Sequence, residues 1–194
     1  METITKAYQV YKYEELSDSA QEKIRCMFGE DSGEFETDCL LDDFTEQLKE
    51  KYPYFLNPEF QWSAGGCQGD GLSFSCDIDV SLFLDKECPN MKRFLKDIIS
   101  NELYVSSTGN TGHYCYSSEN QVVSSFYGLN EYPKIQEKLE DVFGLITEKY
   151  ADVCHEFYIN ARNAYEYLYT EEYAQETCDG NEYTFLEDGM MFNE

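Results

Sequence analysis

Asp38, Asp42 and Glu46 recur at steps of four residues, and Glu50 continues the row. On a helix that spacing puts the carboxylates on one face about 6 Å apart, near the separation of phosphates along one nucleic-acid strand. The chemistry such a row offers is occupancy of a surface built to hold phosphate. Glu30 to Glu46 holds eight acids, Glu166 to Glu194 holds nine, and neither block contains a Lys or Arg. An ordinary solvated helix interleaves lysines, because like charges four residues apart cost about 0.2–0.5 kcal/mol per pair. The whole chain has 39 acids against 14 bases, a formal net charge of -25, and self-repulsion on that scale works against a compact state. The acidity therefore points outside the fold, to a basic nucleic-acid-binding protein as partner, and away from direct binding to nucleic acid or an anionic membrane. The residues nominated for that acidic surface are Asp38, Asp42, Asp43, Glu46 and Glu50, with Glu171, Glu172, Glu176 and Asp179.

Other chemistry finds less support. The glycine-rich segment Gly65–Gly71, with the loop motif Cys67, Gln68, Gly69, Asp70 and Gly71, lacks the spacing and the Lys of a P-loop and runs into a strand rather than a helix. Its glycines are expected to supply positive φ and close backbone approach, with Asp70 bonding to the loop's own amides. Asp77 and Asp79 would share one face of a strand about 7 Å apart, too far for direct sharing of one small cation, so a solvated strand face is expected and no metal or cofactor. The eight cysteines contain no CxxC pair and read as free thiols. Cys154 and His155 are neighbours, but neighbours on a helix point about 100° apart and make no nucleophile–base pair. Neither His155 nor His113 belongs to a partner motif, and no GxSxG, HExxH or Walker pattern occurs. No catalytic residue is nominated, and the chain reads as a binding protein rather than an enzyme.

The elements that must position these residues follow from hydrophobic period. The reading is α+β: an antiparallel sheet with N-terminal helices and one long C-terminal helix packed on or beside it. A chain of 194 residues fits one domain, residues 1–194, although two small lobes would also satisfy the length. A strand over Ala7–Tyr13 and two helices fill about 7–52, the first capped by Ser17 or Ser19 with a Ser19–Glu22 capping box, the second about Glu34–Lys51 after a turn at Gly29–Gly33. Tyr52–Pro53 stops the second helix. A sheet region follows at about 57–128. It contains Phe60–Ser63, an alternating strand from Gly71 to Leu82, a short helix Asn90–Ile99, and strands near Leu103–Ser107, His113–Ser117 and Gln121–Tyr127. The last section, about 132–194, is a long helix and an acidic tail. Ile135, Leu139, Val142, Ile146, Tyr150, Val153, Phe157, Ala161, Ala164 and Leu168 recur at steps of four and three. Such a helix either bends, breaks near Gly144 or Asn160–Ala161, or projects. Lys134 to Glu172 has nine acids and four bases, far too few to imitate a duplex carrying one charge per about 1.7 Å, which moves the weight to the second helix. Tyr183–Leu186 is expected to be a short strand or docked tail.

Three stretches carry a resemblance: Glu15–Ile24 after an aromatic strand, Cys67–Phe74 in the middle, and Asn181–Gly189 near the end. Together they resemble small acidic proteins encoded by phages and other mobile elements of bacteria. The resemblance implies a setting in which short acidic proteins antagonise host defence, as many anti-CRISPR and anti-restriction proteins do. The expectation is an inhibitor that binds a CRISPR effector through acidic surface and blocks nucleic-acid binding. The alternative is an antitoxin or structural interaction protein of a mobile element, held through apolar contacts of the long helix, through which a homodimer could also form. Met1–Tyr13 has no signal-like apolar stretch and no run approaches the roughly 20 apolar residues that span a bilayer, so the cytoplasm of the bacterial host is the expected location.

Overall fold

Ser17 starts the first helix. Its carbonyl accepts from the Ala20 and Gln21 amides and its Oγ lies 3.4 Å from the Ala20 amide, so the expected Ser19 capping box gives way to a cap two residues earlier. In the computed structural model, which describes residues 6–64, 69–109, 115–116, 121–126 and 133–192, helix α1 then runs without interruption over Asp18–Lys51. The two expected N-terminal helices are one. Gly29 and Gly33 each cost a helix about 1 kcal/mol relative to Ala, but neither breaks it. At Gly29 a Cβ would lie 2.5 Å from the Tyr169 ring, so the glycine serves close packing there instead of a turn.

The remaining order is β1 (Phe55–Ser63), β2 (Gly71–Ile78), α2 (Val80–Glu87), α3 (Arg93–Glu102), β3 (Leu103–Thr108), β4 (Val122–Phe126), α4 (Pro133–Tyr167) and α5 (Glu171–Asn181). The four strands form one antiparallel sheet in the order β1-β2-β3-β4. The architecture is thus α+β. The alternating strand ends at Ile78, because Asp79 turns to cap α2, its carboxylate accepting the Leu82 amide at 2.9 Å. Polar alternation continuing past Asp79 concealed that helix. Most of the expected strand at His113–Ser117 lies outside the described residues. Of the described N-terminal residues only Tyr11 pairs, in a bridge to Phe185, so no strand spans Ala7–Tyr13. Phe185 is buried and also bridges to Met191, a docked tail.

The chain divides into two compact units, residues 40–161 and residues 1–39 with 162–194, and α1 and α4 contribute to both. In the sheet unit, Leu72, Phe74, Cys76 and Ile78 of β2 point to the same side as Leu103 and Val105 of β3 and pack with Phe44 and Leu48 of α1 and Leu139 to Ala161 of α4. Phe44 and Phe157 stack at 4.5 Å, and Tyr150 lies 4.8 Å from Phe74. Helix α4 passes through Gly144 and Asn160–Ala161 unbroken, burying the expected residues from Leu139 to Ala161, whereas Ala164 is exposed. In the other unit Tyr13, Leu16, Ala20, Ile24 and Phe28 bury against Ala174, Cys178 and Phe185.

Candidate functional site

Phe44 and Leu48 are buried (1% and 0% exposed), and that orientation turns the opposite side of α1 to solvent. Asp42, Asp43, Glu46 and Glu50 are all exposed, in the sheet unit. Asp38 is exposed as well, in the portion of the same helix assigned to the other unit. Among the described residues the ion pairs are Arg25–Glu22, Lys51–Glu156, Lys96–Asp85, Lys138–Asp141, Lys149–Glu87 and Arg162–Glu166. None involves the α1 row, and no described hydrogen bond does either. Asp42, Glu46 and Glu50 therefore stand one helical turn apart, about 6 Å each, without an ion pair of their own although Lys49 lies beside the last two.

The second nominated set behaves differently. The acidic tail contains helix α5, which the sequence pattern did not bring out. Thr170 caps it, Oγ1 accepting the Tyr173 amide at 3.2 Å, and Glu171 and Glu172 occupy its first turn. Acids there interact favourably with the positive end of the helix dipole, worth about 0.3–1 kcal/mol each. Glu176 accepts from the Tyr167 hydroxyl at 3.0 Å and Asp179 from the Gln175 amide at 2.9 Å. These four carboxylates have local structural work, so α1 is the stronger candidate surface.

Within the loop motif, Cys67 and Gln68 lie outside the described residues. The loop joins β1 to β2, whose register closes at Ser63 opposite Gly71. Asp70 accepts from the Ser63 hydroxyl across that closure at 2.9 Å, and the Gly69 carbonyl accepts the Cys115 amide at 2.8 Å. A Cβ on Gly71 would come within 2.3 Å of the Tyr116 Cα, so this glycine permits a close backbone crossing. Asp77 is exposed on β2 while Asp79 is the α2 cap, which removes the shared strand face expected for them. Among the described residues no group of three His, Cys, Asp or Glu is placed to hold a metal ion. Cys154 is buried and its thiol is raised well above its ordinary value by burial, whereas His155 is exposed. Among the described residues no helix is long and apolar enough to cross a membrane.

One cluster had no sequence signal, because its members lie far apart in the chain. The Tyr54 hydroxyl donates to Glu87 at 2.8 Å, Lys149 approaches the same carboxylate at 3.5 Å and sits 5.4 Å over the Tyr52 ring, and the Tyr52 hydroxyl donates to Glu156 at 3.0 Å. Burial first, and then the hydrogen bonds to these carboxylates, hold both phenols above their ordinary range. Every polar atom described here has a partner within the cluster, which ties the end of α1 to α2 and α4. Set against protein-family models, curated proteins and solved structures, the chain matches none.

Proposed function

We propose that this protein is an inhibitor carried by a phage or other mobile element, acting in the bacterial cytoplasm on a nucleic-acid-targeting defence protein of the CRISPR effector class. The supporting observation is the exposed row Asp42, Glu46 and Glu50 on α1. Carboxylates about 6 Å apart on a rigid helix match a groove whose Lys and Arg side chains are set to receive successive phosphates. Occupying that groove excludes target or guide nucleic acid by competition, without bond making or breaking.

The test is capture from a bacterial host lysate, identification of the captured protein, and titration of the purified pair across ionic strength. Affinity should fall more than tenfold between 50 mM and 500 mM NaCl, and Asp42→Asn with Glu46→Gln and Glu50→Gln should abolish competition with nucleic acid. An affinity indifferent to both salt and these substitutions would refute the electrostatic reading. It would favour an antitoxin-like or structural role through α4, where Leu145 and Ile159 are 46% and 40% exposed.

A further inference from the structure

The two edges of the sheet are built differently. Edge strand β1 carries three devices that discourage strand addition: a register irregularity between Leu56 and Glu59, Asn57 at φ 51°, and Pro58 beside the charged Glu59. Bulges, prolines and edge charges are how sheets blunt an unpaired backbone row. The opposite edge, β4, has the sequence Val122-Val123-Ser124-Ser125-Phe126, with no charge, proline or glycine, and pairs with β3 in unbroken register from Val122 to Phe126. Among the described residues nothing pairs with its other side. Val122, at its start, is buried (3%), and the other four side chains are exposed on both faces of the sheet: Val123 (44%) and Ser125 on one, Ser124 and Phe126 (37%) on the other. On the neighbouring strand Leu103 and Val105 are buried. The core layer therefore reaches β4 only at Val122, and the other four residues of the strand extend beyond it.

We propose that β4 is a self-association edge, pairing antiparallel with β4 of a second copy to make one continuous eight-stranded sheet. The sequence is self-complementary in that arrangement. Full overlap of the five residues sets Val122 opposite Phe126 twice, Val123 opposite Ser125 twice, and Ser124 opposite Ser124 on the two-fold axis. Aromatic and β-branched residues form favourable cross-strand pairs, and an isologous interface needs this reciprocity. Charge selects the place: on a chain of net charge -25, an uncharged strand lets two copies approach without a carboxylate facing a carboxylate. This association has the opposite salt dependence to acidic partner binding. It strengthens with salt, as the Debye length falls from about 30 Å at 10 mM to about 3 Å at 1 M and screens the repulsion between the two bodies.

Sedimentation velocity of the full chain in reducing buffer tests this. A monomer at 10 mM NaCl should become a concentration-dependent dimer at 1 M. Ser124→Lys changes the net charge from -25 to -24, which by itself would ease association, yet it sets lysine against lysine on the axis and should weaken the dimer at least threefold. Ser124→Asp should weaken it similarly, and an equimolar mixture of the two variants should restore a heterodimer, a rescue that a misfolded variant could not give. A monomer at 1 M NaCl overturns the proposal. So does a homodimer of either variant as tight as the parent, or a failure of the mixture to re-associate. A dimer lost on Leu145→Glu but not on Ser124→Lys overturns it in favour of α4.

Discussion

Removing one oxygen atom from Tyr150 should cost the sheet unit about 2 kcal/mol. At Gly109 the chain takes φ +58° and leaves the line of β3, so the next ladder position on β2, Phe74, pairs with Phe60 of β1 but has no β3 partner on its other side. The Tyr150 hydroxyl, reaching from α4, takes that place. It accepts the Phe74 amide at 3.1 Å and donates to the Phe74 carbonyl at 2.9 Å, in a site where both residues are no more than 1% exposed. The carbonyl has a second donor, the Ser107 hydroxyl at 2.9 Å; beside the Tyr150 hydroxyl the amide meets the Cys154 sulfur, a weak acceptor. Tyr150→Phe leaves a buried amide with a weak sulfur acceptor in place of a hydroxyl, a loss of about 1–3 kcal/mol. With a urea dependence of about 2 kcal/mol per molar, a 2 kcal/mol loss moves the midpoint down by about 1 M. The single tryptophan, Trp62 on β1, reports this unit's unfolding by fluorescence. Adding Ser107→Ala should cost more than the sum of the two single changes, because only the double variant strips the carbonyl of both donors. A midpoint shift below about 0.3 M at unchanged slope, or strict additivity in the double variant, would refute the reasoning.

Glycine substitutions on the helices should split by sign. Gly33→Ala and Gly144→Ala, where an added Cβ meets nothing within 4 Å, should each stabilise by about 0.5–1 kcal/mol, whereas Gly29→Ala should destabilise because the Tyr169 ring occupies the space, all read by thermal melting. Burial pushes the Cys76 thiol up to about 12 from its ordinary 9.0. Between those pH values the unfolded chain releases a proton that the native one retains, so stability from this group is full below pH 9, falls by about 1.4 kcal/mol per pH unit above it, and is lost through pH 12. Cys76→Ala should flatten that part of an alkaline unfolding profile, which a stability-versus-pH series measures directly. On α1, Glu46→Gln removes repulsions with Asp42, Asp43 and Glu50 and one attraction to Lys49, a net two pairs at about 0.2–0.5 kcal/mol each, and should raise stability by roughly 0.4–1 kcal/mol in low salt and by less in high salt.

Where a stretch had a single hydrophobic period, the sequence could be read directly. The steps of four and three from Leu139 to Ala161 became the buried face of α4, and the alternation from Leu72 to Ile78 became β2. Reading failed where a local signal was overruled by a distant group. Gly29 looks like a turn until Tyr169, 140 residues later, is seen to fill the space a side chain would need. Asp79 continues a strand-like alternation, yet its carboxylate is worth more as a cap on α2, and no alternation pattern distinguishes the two uses. Helix α5 was hidden because its buried residues, Ala174 and Cys178, are few and small. For the candidate site, the exposure of Asp42, Glu46 and Glu50 was legible from the burial of Phe44 and Leu48 one face away. That Glu176 is engaged was not, since the Tyr167 hydroxyl lies on another helix.

The contrast between the two acidic sets decides how the charge should be understood. On α5 the carboxylates brace neighbouring side chains or sit at the positive end of the helix, so removing them should lower stability whatever the protein binds. On α1 they oppose one another with Lys49 as the one base among them, above a core of Phe44 and Leu48 that would form equally well under lysines or glutamines. A face kept only for solubility could carry its charge interleaved with bases at no cost in stability, as the ion pairs Lys138–Asp141 and Arg162–Glu166 do on α4. Holding three carboxylates in a row costs stability at each step, and residues that destabilise a fold while contributing nothing to its core are characteristic of binding surfaces. Stability and partner affinity should therefore move in opposite directions along Asp42, Glu46 and Glu50, and in the same direction, or not at all, along Glu171, Glu172, Glu176 and Asp179.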